Sequence, residues 1–138
     1  MSEPDITDYV PSDDEEFMNP RQQAYFRARL EQWKADILAG TKSTINNLQE
    51  DSSNLPDLVD RASSESDKAL ELRTRDRQRK LIAKIDAALR RIDEGTYGYC
   101  DETGEPISLR RLEARPTATL SLEAQERHER QERTVRDD

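Results

Sequence analysis

Tyr97-Gly98-Tyr99-Cys100-Asp101-Glu102-Thr103, answered downstream by Leu120-Ser121-Leu122-Glu123-Ala124, decides how the last third of the chain folds. A structural zinc site needs four tetrahedral thiolate or imidazole ligands, commonly two C-x-x-C pairs about 15–20 residues apart. Positions 100, 103, 121 and 124 keep that spacing, but they read Cys, Thr, Ser and Ala. One thiolate cannot hold a structural Zn²⁺. The expected state is a degenerate, metal-free frame in which Cys100 packs in a small core. Hydrogen bonds from the Thr103 and Ser121 side chains are expected to clamp the turns that metal would otherwise fix. Zinc held by Cys100, Asp101, Glu102 and His128 has the wrong spacing for a structural site.

Working outward, composition limits what surrounds this frame. Of 138 residues, 33% are hydrophobic and 38% charged, too few apolar groups for a thick core and well suited to long helices with a narrow apolar stripe. The net charge of −8 is local: residues 1–18 hold seven acids (Glu3, Asp5, Asp8, Asp13, Asp14, Glu15, Glu16) and no Lys or Arg, which leaves about −1 for the rest. That segment, with Pro4 and Pro11 and no apolar period, is expected to be an acidic flexible tail. A single Cys excludes an intramolecular disulfide and suits a reducing compartment. No signal peptide, membrane-length apolar run or lipidation motif is present, so the expectation is a cytoplasmic protein.

Asn19-Pro20-Arg21-Gln22 is a helix start: Asn19 caps, Pro20 takes the first helical position, and Gln22 stands where a capping-box partner belongs. Phe26, Leu30, Trp33 and Ile37 then recur at four, three and four, with Ile45 and Leu48 extending the seam of coiled-coil type. Gly40-Thr41 weakens it by about 1 kcal/mol of helix propensity. The helix is expected to stop near Asp51-Ser52-Ser53-Asn54-Leu55-Pro56, because the residue before Pro resists helical geometry. A second helix should run from about Asp57 to about Asp93, its stripe formed by Leu81, Ile85, Ala88 and Ile92, and end at Glu94-Gly95. Gly98, Gly104 and Pro106 supply turns, Ile107, Leu109, Leu112 and Leu120 a small core, and Ser121 caps a last helix to about Thr134.

The fold expected is mainly α: a long antiparallel coiled-coil hairpin, residues 19–94 with its tip near 51–62, followed at 95–138 by a degenerate zinc-ribbon-like frame and a C-terminal helix. The helices' apolar ends, around Phe26–Trp33 and Leu81–Ile92, should pack with that C-terminal piece and stand in for the metal.

Four motifs then resemble one family. Asn54-Leu55-Pro56-Asp57-Leu58-Val59-Asp60-Arg61-Ala62 and Leu70-Glu71-Leu72-Arg73-Thr74-Arg75-Asp76-Arg77 are similar to parts of the DksA family of RNA-polymerase-binding transcription factors. So are Tyr97-Gly98-Tyr99-Cys100 and Arg110-Arg111-Leu112-Glu113-Ala114-Arg115-Pro116-Thr117. The resemblance covers roughly residues 17–130, and the single cysteine makes the chain look like the zinc-independent paralogues. It implies a non-enzymatic regulator in the stringent response, a monomer that enters the secondary channel of RNA polymerase. With guanosine tetraphosphate (ppGpp), such a factor inhibits ribosomal RNA promoters and assists amino-acid biosynthesis promoters, without reading DNA sequence.

Residue by residue, the resemblance places Asp57, Asp60 and Ala62 at the polymerase active centre. By themselves the two acids read as N-terminal helix acids near the positive end of the dipole. Arg77 is placed at the polymerase rim, within a basic run (Arg73 to Arg91) that otherwise reads as a solvated helix face. Asn54, Leu81, Lys84 and Arg115 match the ppGpp positions shared with polymerase, while a further, usually basic position falls on Gln125. Two rivals stand beside this reading. A transcript-cleavage factor of the Gre type also carries acids on a hairpin tip, but its hairpin comes first and a larger β-rich domain follows. A structural helical-hairpin adaptor would tolerate Asn at both acids.

Overall fold

Asn19 begins the first helix as its chemistry dictates: its Oδ1 accepts the Gln22 amide at 2.9 Å, and Pro20 follows in the first helical position. The computed structural model describes residues 4–53 and 58–137, with side chains over 4–40 and 65–134. The described residues form four helices: α1 (Pro20–Ser53), α2 (Leu58–Glu94), α3 (Leu109–Ala114) and α4 (Leu122–Asp137). Among the described residues there is no strand, only an isolated antiparallel bridge between Tyr99 and Pro106. The expected stop of α1 and end of α2 agree with these bounds to within two residues. Ile45, Leu48 and the tip residues Asn54, Asp57, Asp60 and Ala62 have side chains outside the described set; Asn54 and Asp57 lie outside it entirely.

The chain divides into two compact units, Met1–Leu30 with Ala87–Asp138, and Glu31–Asp86. Both long helices contribute to each. In the first unit Arg27 pairs with Asp93, and in the second Lys34 pairs with Asp86 at 2.7 Å. Each unit thus ties α1 to α2 by an ion pair of its own. Gly95 closes α2 in a Schellman geometry: it lies at φ +81°, its amide reaches Ile92 O and the Thr96 amide reaches Arg91 O.

In the first unit Phe26, Leu30, Ala88, Ile92, Tyr97, Ile107 and Leu112 are buried, as the apolar stripes and the turn region predict. The Phe26 and Tyr97 rings meet at 5.6 Å between centroids, so α1 packs directly on the turn that opens the frame. Tyr97 carries a hydroxyl into that core and satisfies it on Pro116 O at 2.8 Å. Each fully buried large side chain of this kind stabilises the fold by about 1.5–3 kcal/mol.

The expectation of a flexible tail over 1–18 gives way, over residues 5–18, to a seated segment. Tyr9 is buried with its ring under the Arg21 guanidinium at 4.1 Å and edge-on to Tyr25 at 6.0 Å. Met18 is buried, and Phe17 lies edge-on to Tyr99 at 5.4 Å. Three apolar or aromatic groups, Tyr9, Phe17 and Met18, against α1 and the frame outweigh the segment's charge, and acids such as Glu15 find local donors: the Tyr9 hydroxyl, the Ser12 amide and the Asn19 amide group.

Candidate functional site

The frame of residues 97–124 is the first of two regions with recognisable chemistry. Gly98 and Gly104 take positive φ (+90° and +73°), which folds the chain back so that the Cys100 amide reaches Glu105 O at 2.8 Å. The Ile107 amide reaches Gly98 O at 2.7 Å, and the Asp101 amide reaches Thr119 O at 2.8 Å, tying the second half to the first. Arg111 adds a side-chain tie from Nε to Leu120 O at 2.8 Å. Cys100, Thr103 and Ser121 come together, and Ala124, three residues after Ser121, is fully buried at the start of α4.

Cys100 is buried, and burial alone would raise its thiol pKa. The Thr103 hydroxyl and the backbone amides of Ser121, Thr103 and Glu102 all donate to sulfur, and together they prevail, bringing the thiol down to about 6. A ring of donors thus surrounds the position where a metal-bound thiolate would sit. The four positions do not fit a structural zinc ion: Ala124 has no donor atom, the Thr103 hydroxyl is engaged with sulfur, and only one thiolate remains. The clamp differs from expectation in one respect. The Ser121 hydroxyl caps α4, accepting the Ala124 amide at 3.2 Å, while the Ser121 backbone serves the sulfur. A serine at a helix start is drawn to the free amides there.

His128 and Arg127 on α4 both reach Glu102, closing the frame from its outer side. Among the described residues no three His, Cys, Asp or Glu side chains gather as a metal site. A second cluster was not anticipated. Glu113 on α3 accepts from the Tyr25 hydroxyl (3.0 Å) and the Arg29 guanidinium, which also bonds Glu113 O at 3.0 Å. Neither α3 nor this cluster has a loud signal; Ser108 and the Leu109/Leu112 spacing of three are the only pointers.

On α2 the second region is an open groove lined by Leu70, Leu72, Arg73, Asp76 and Arg77. Leu70 and Leu72 are 59% and 56% exposed, whereas Ile85, Ala88 and Ile92 of the same helix are buried. Arg77 therefore stands beside apolar surface and next to the Asp76–Lys80 pair (3.3 Å). Leu81 is half-buried and Lys84 exposed one turn further on. Arg115 is exposed at the C-terminus of α3, its amide bonded to Arg111 O. Gln125 turns to Glu129 at 3.3 Å.

Residues 22–92 match the family described as the N-terminal domain of the DnaK suppressor protein DksA, and residues 95–130 match the prokaryotic dksA/traR C4-type zinc finger. The chain is 66% identical over 132 residues to the RNA polymerase-binding transcription factor DksA of Caulobacter vibrioides, covering 96% of this chain and 93% of that protein. It is 43% identical over 118 residues to the protein of the same name from Escherichia coli K12, covering 86% and 78%. The solved structure of transcription factor DksA2 from Pseudomonas aeruginosa superposes with a TM-score of 0.78 at 44% identity, over 85% of this chain and 90% of that one. Two family models that together span the hairpin and the frame, and relatives similar along nearly the whole chain, place this protein in the DksA family.

Proposed function

We propose that this chain regulates transcription by binding RNA polymerase directly, its hairpin tip entering the secondary channel, and that it does so without zinc and without chemistry of its own. The observation that carries the reading is the near full-length similarity to proteins named RNA polymerase-binding transcription factor DksA. The exposed Leu70/Leu72 groove beside Arg73 and Arg77 supplies a surface of the right kind: apolar area rimmed by guanidinium groups. In this reading Asp57, Asp60 and Ala62 act at the polymerase active centre, Arg77 at the rim, and Asn54, Leu81, Lys84 and Arg115 with polymerase around ppGpp. Gln125 in place of a cation weakens the response to ppGpp without removing it. The protein works in the cytoplasm as a monomer, in the stringent response. Zinc independence rests on the donor set of the frame, where one thiolate is held by hydrogen-bond donors.

The test is transcription from a ribosomal RNA promoter by purified bacterial RNA polymerase, with and without ppGpp, in chelator. Wild type should inhibit, more strongly with ppGpp, and Asp57→Asn/Asp60→Asn should bind but not inhibit. A folded wild type with no effect in chelator that recovers with added zinc would refute zinc independence. No effect under either condition would refute the polymerase reading.

A further inference from the structure

The seated N-terminal segment touches the frame at the turn that presents Cys100, and it is held there by unusual means. Gly98 lies at φ +90°, and a Cβ added to it would stand 3.1 Å from the Phe17 ring and 3.2 Å from the Met18 methyl group. The bare glycine backbone is what lets the two side chains close on the turn. Phe17 then meets Tyr99, the residue before Cys100, edge-on at 5.4 Å. Met18 is itself at φ +52°, a left-handed conformation that a long side chain rarely adopts. Its backbone is fixed from both ends: the Met18 amide donates to Gln22 Oε1 at 2.8 Å, and Met18 O accepts from Gln23 Nε2 at 2.7 Å. Gln22 is completely buried in doing this. Strain of this sort persists only where the surroundings over-determine it, and it collects at sites with a task.

We propose that Phe17 and Met18 form a clasp that holds the Gly98–Cys100 turn closed, supplying from the N-terminus a second fastening for a frame with one cysteine. The clasp explains why a segment so rich in acids is folded back at all. It also explains why its anchors lie on the first turns of α1: Gln22 and Gln23 fix Met18, and Arg21 and Tyr25 hold Tyr9 behind it. Opening the clasp frees the turn without unfolding the helices, so the Cys100 thiol becomes accessible while the core stays formed.

Cys100 is the only thiol, so alkylation of the full chain by N-ethylmaleimide follows this turn alone. Phe17→Ala should speed alkylation about tenfold, the effect of losing an aromatic pair together with its buried area. Hydrogen exchange along α1 residues 22–30 and α2 residues 85–92 should stay unchanged. Val10→Ala, in the same segment but 72% exposed, should leave the rate at the wild-type value. An unchanged alkylation rate in Phe17→Ala overturns the clasp. So does a faster rate matched by equal loss of protection along both helices, since that is general unfolding.

Discussion

The Thr103 hydroxyl donates to the sulfur of Cys100, three residues back, at the place where a second thiolate would stand in a four-cysteine site. A position that would have repelled a second anion without metal instead stabilises the one that remains. With the amides of Ser121, Thr103 and Glu102 it keeps the thiol near 6 against an ordinary value of 9, despite burial.

Thr103→Val keeps the shape and removes the donor, so the Cys100 thiol should rise from about 6 toward its ordinary value. Thiolate absorbance followed against pH reads this directly. The folded value lies below the unfolded one, so its contribution to stability is complete above about pH 9 and is lost as pH falls through about 6. Wild type should therefore gain stability between those limits, and Thr103→Val should show a flatter profile. An identical titration in the two proteins would remove Thr103 from the account.

Tyr97 ties the frame to the chain after α3 through its hydroxyl on Pro116 O, in a buried setting. Tyr97→Phe leaves a buried carbonyl without its donor and should cost about 1–2 kcal/mol of unfolding free energy in urea, with little change in the slope. A Phe variant as stable as wild type would mean that water reaches Pro116 O.

Much of this was readable from sequence, and the reasons differ by element. The starts and stops of the long helices are written locally, in Asn19-Pro20 and in Glu94-Gly95, and a cap or a glycine acts through its own few neighbours. Around sulfur the chain brings Thr103, Ser121 and Glu102 to Cys100, and the first two stand at positions that the spacing singles out. The spacing could not announce that three of the four donors on sulfur come from backbone amides, since every residue carries one. The short helix Leu109–Ala114 is less than two turns long and has no period to detect. The N-terminal segment escaped for a related reason: Tyr9, Phe17 and Met18 are spaced for contacts with α1 and the frame, not for any regular element. Its turns use positive φ at Asp8 and Met18, where no glycine marks them.

Glu15 provides a pH test of that segment. The Tyr9 hydroxyl, the largest influence, and donors from Asn19 and Ser12 hold its carboxyl below the ordinary 4.5. The stabilisation of the segment is therefore present above that ordinary value and is lost as pH falls through the lower, folded one. NMR signals of the Tyr9 ring should move toward those of a free tyrosine at that point. In Glu15→Gln they should no longer follow this titration.

The groove on α2 gives the test closest to function. Leu72 is 56% exposed and Arg77 is exposed, so Leu72→Ser and Arg77→Ala should each change stability by no more than about 0.5 kcal/mol. If this face meets polymerase, truncating a leucine that becomes buried there, or a guanidinium at its rim, should each weaken binding about tenfold. The two substitutions touch different atoms of one surface lined also by Leu70, Arg73 and Asp76. Neighbours of this kind couple, so the double variant should lose less than the product of the single losses. Competition for purified polymerase between labelled wild type and each variant measures all three. Wild-type affinity in both single variants would move the contact off this groove and leave Leu70 and Leu72 exposed for another reason.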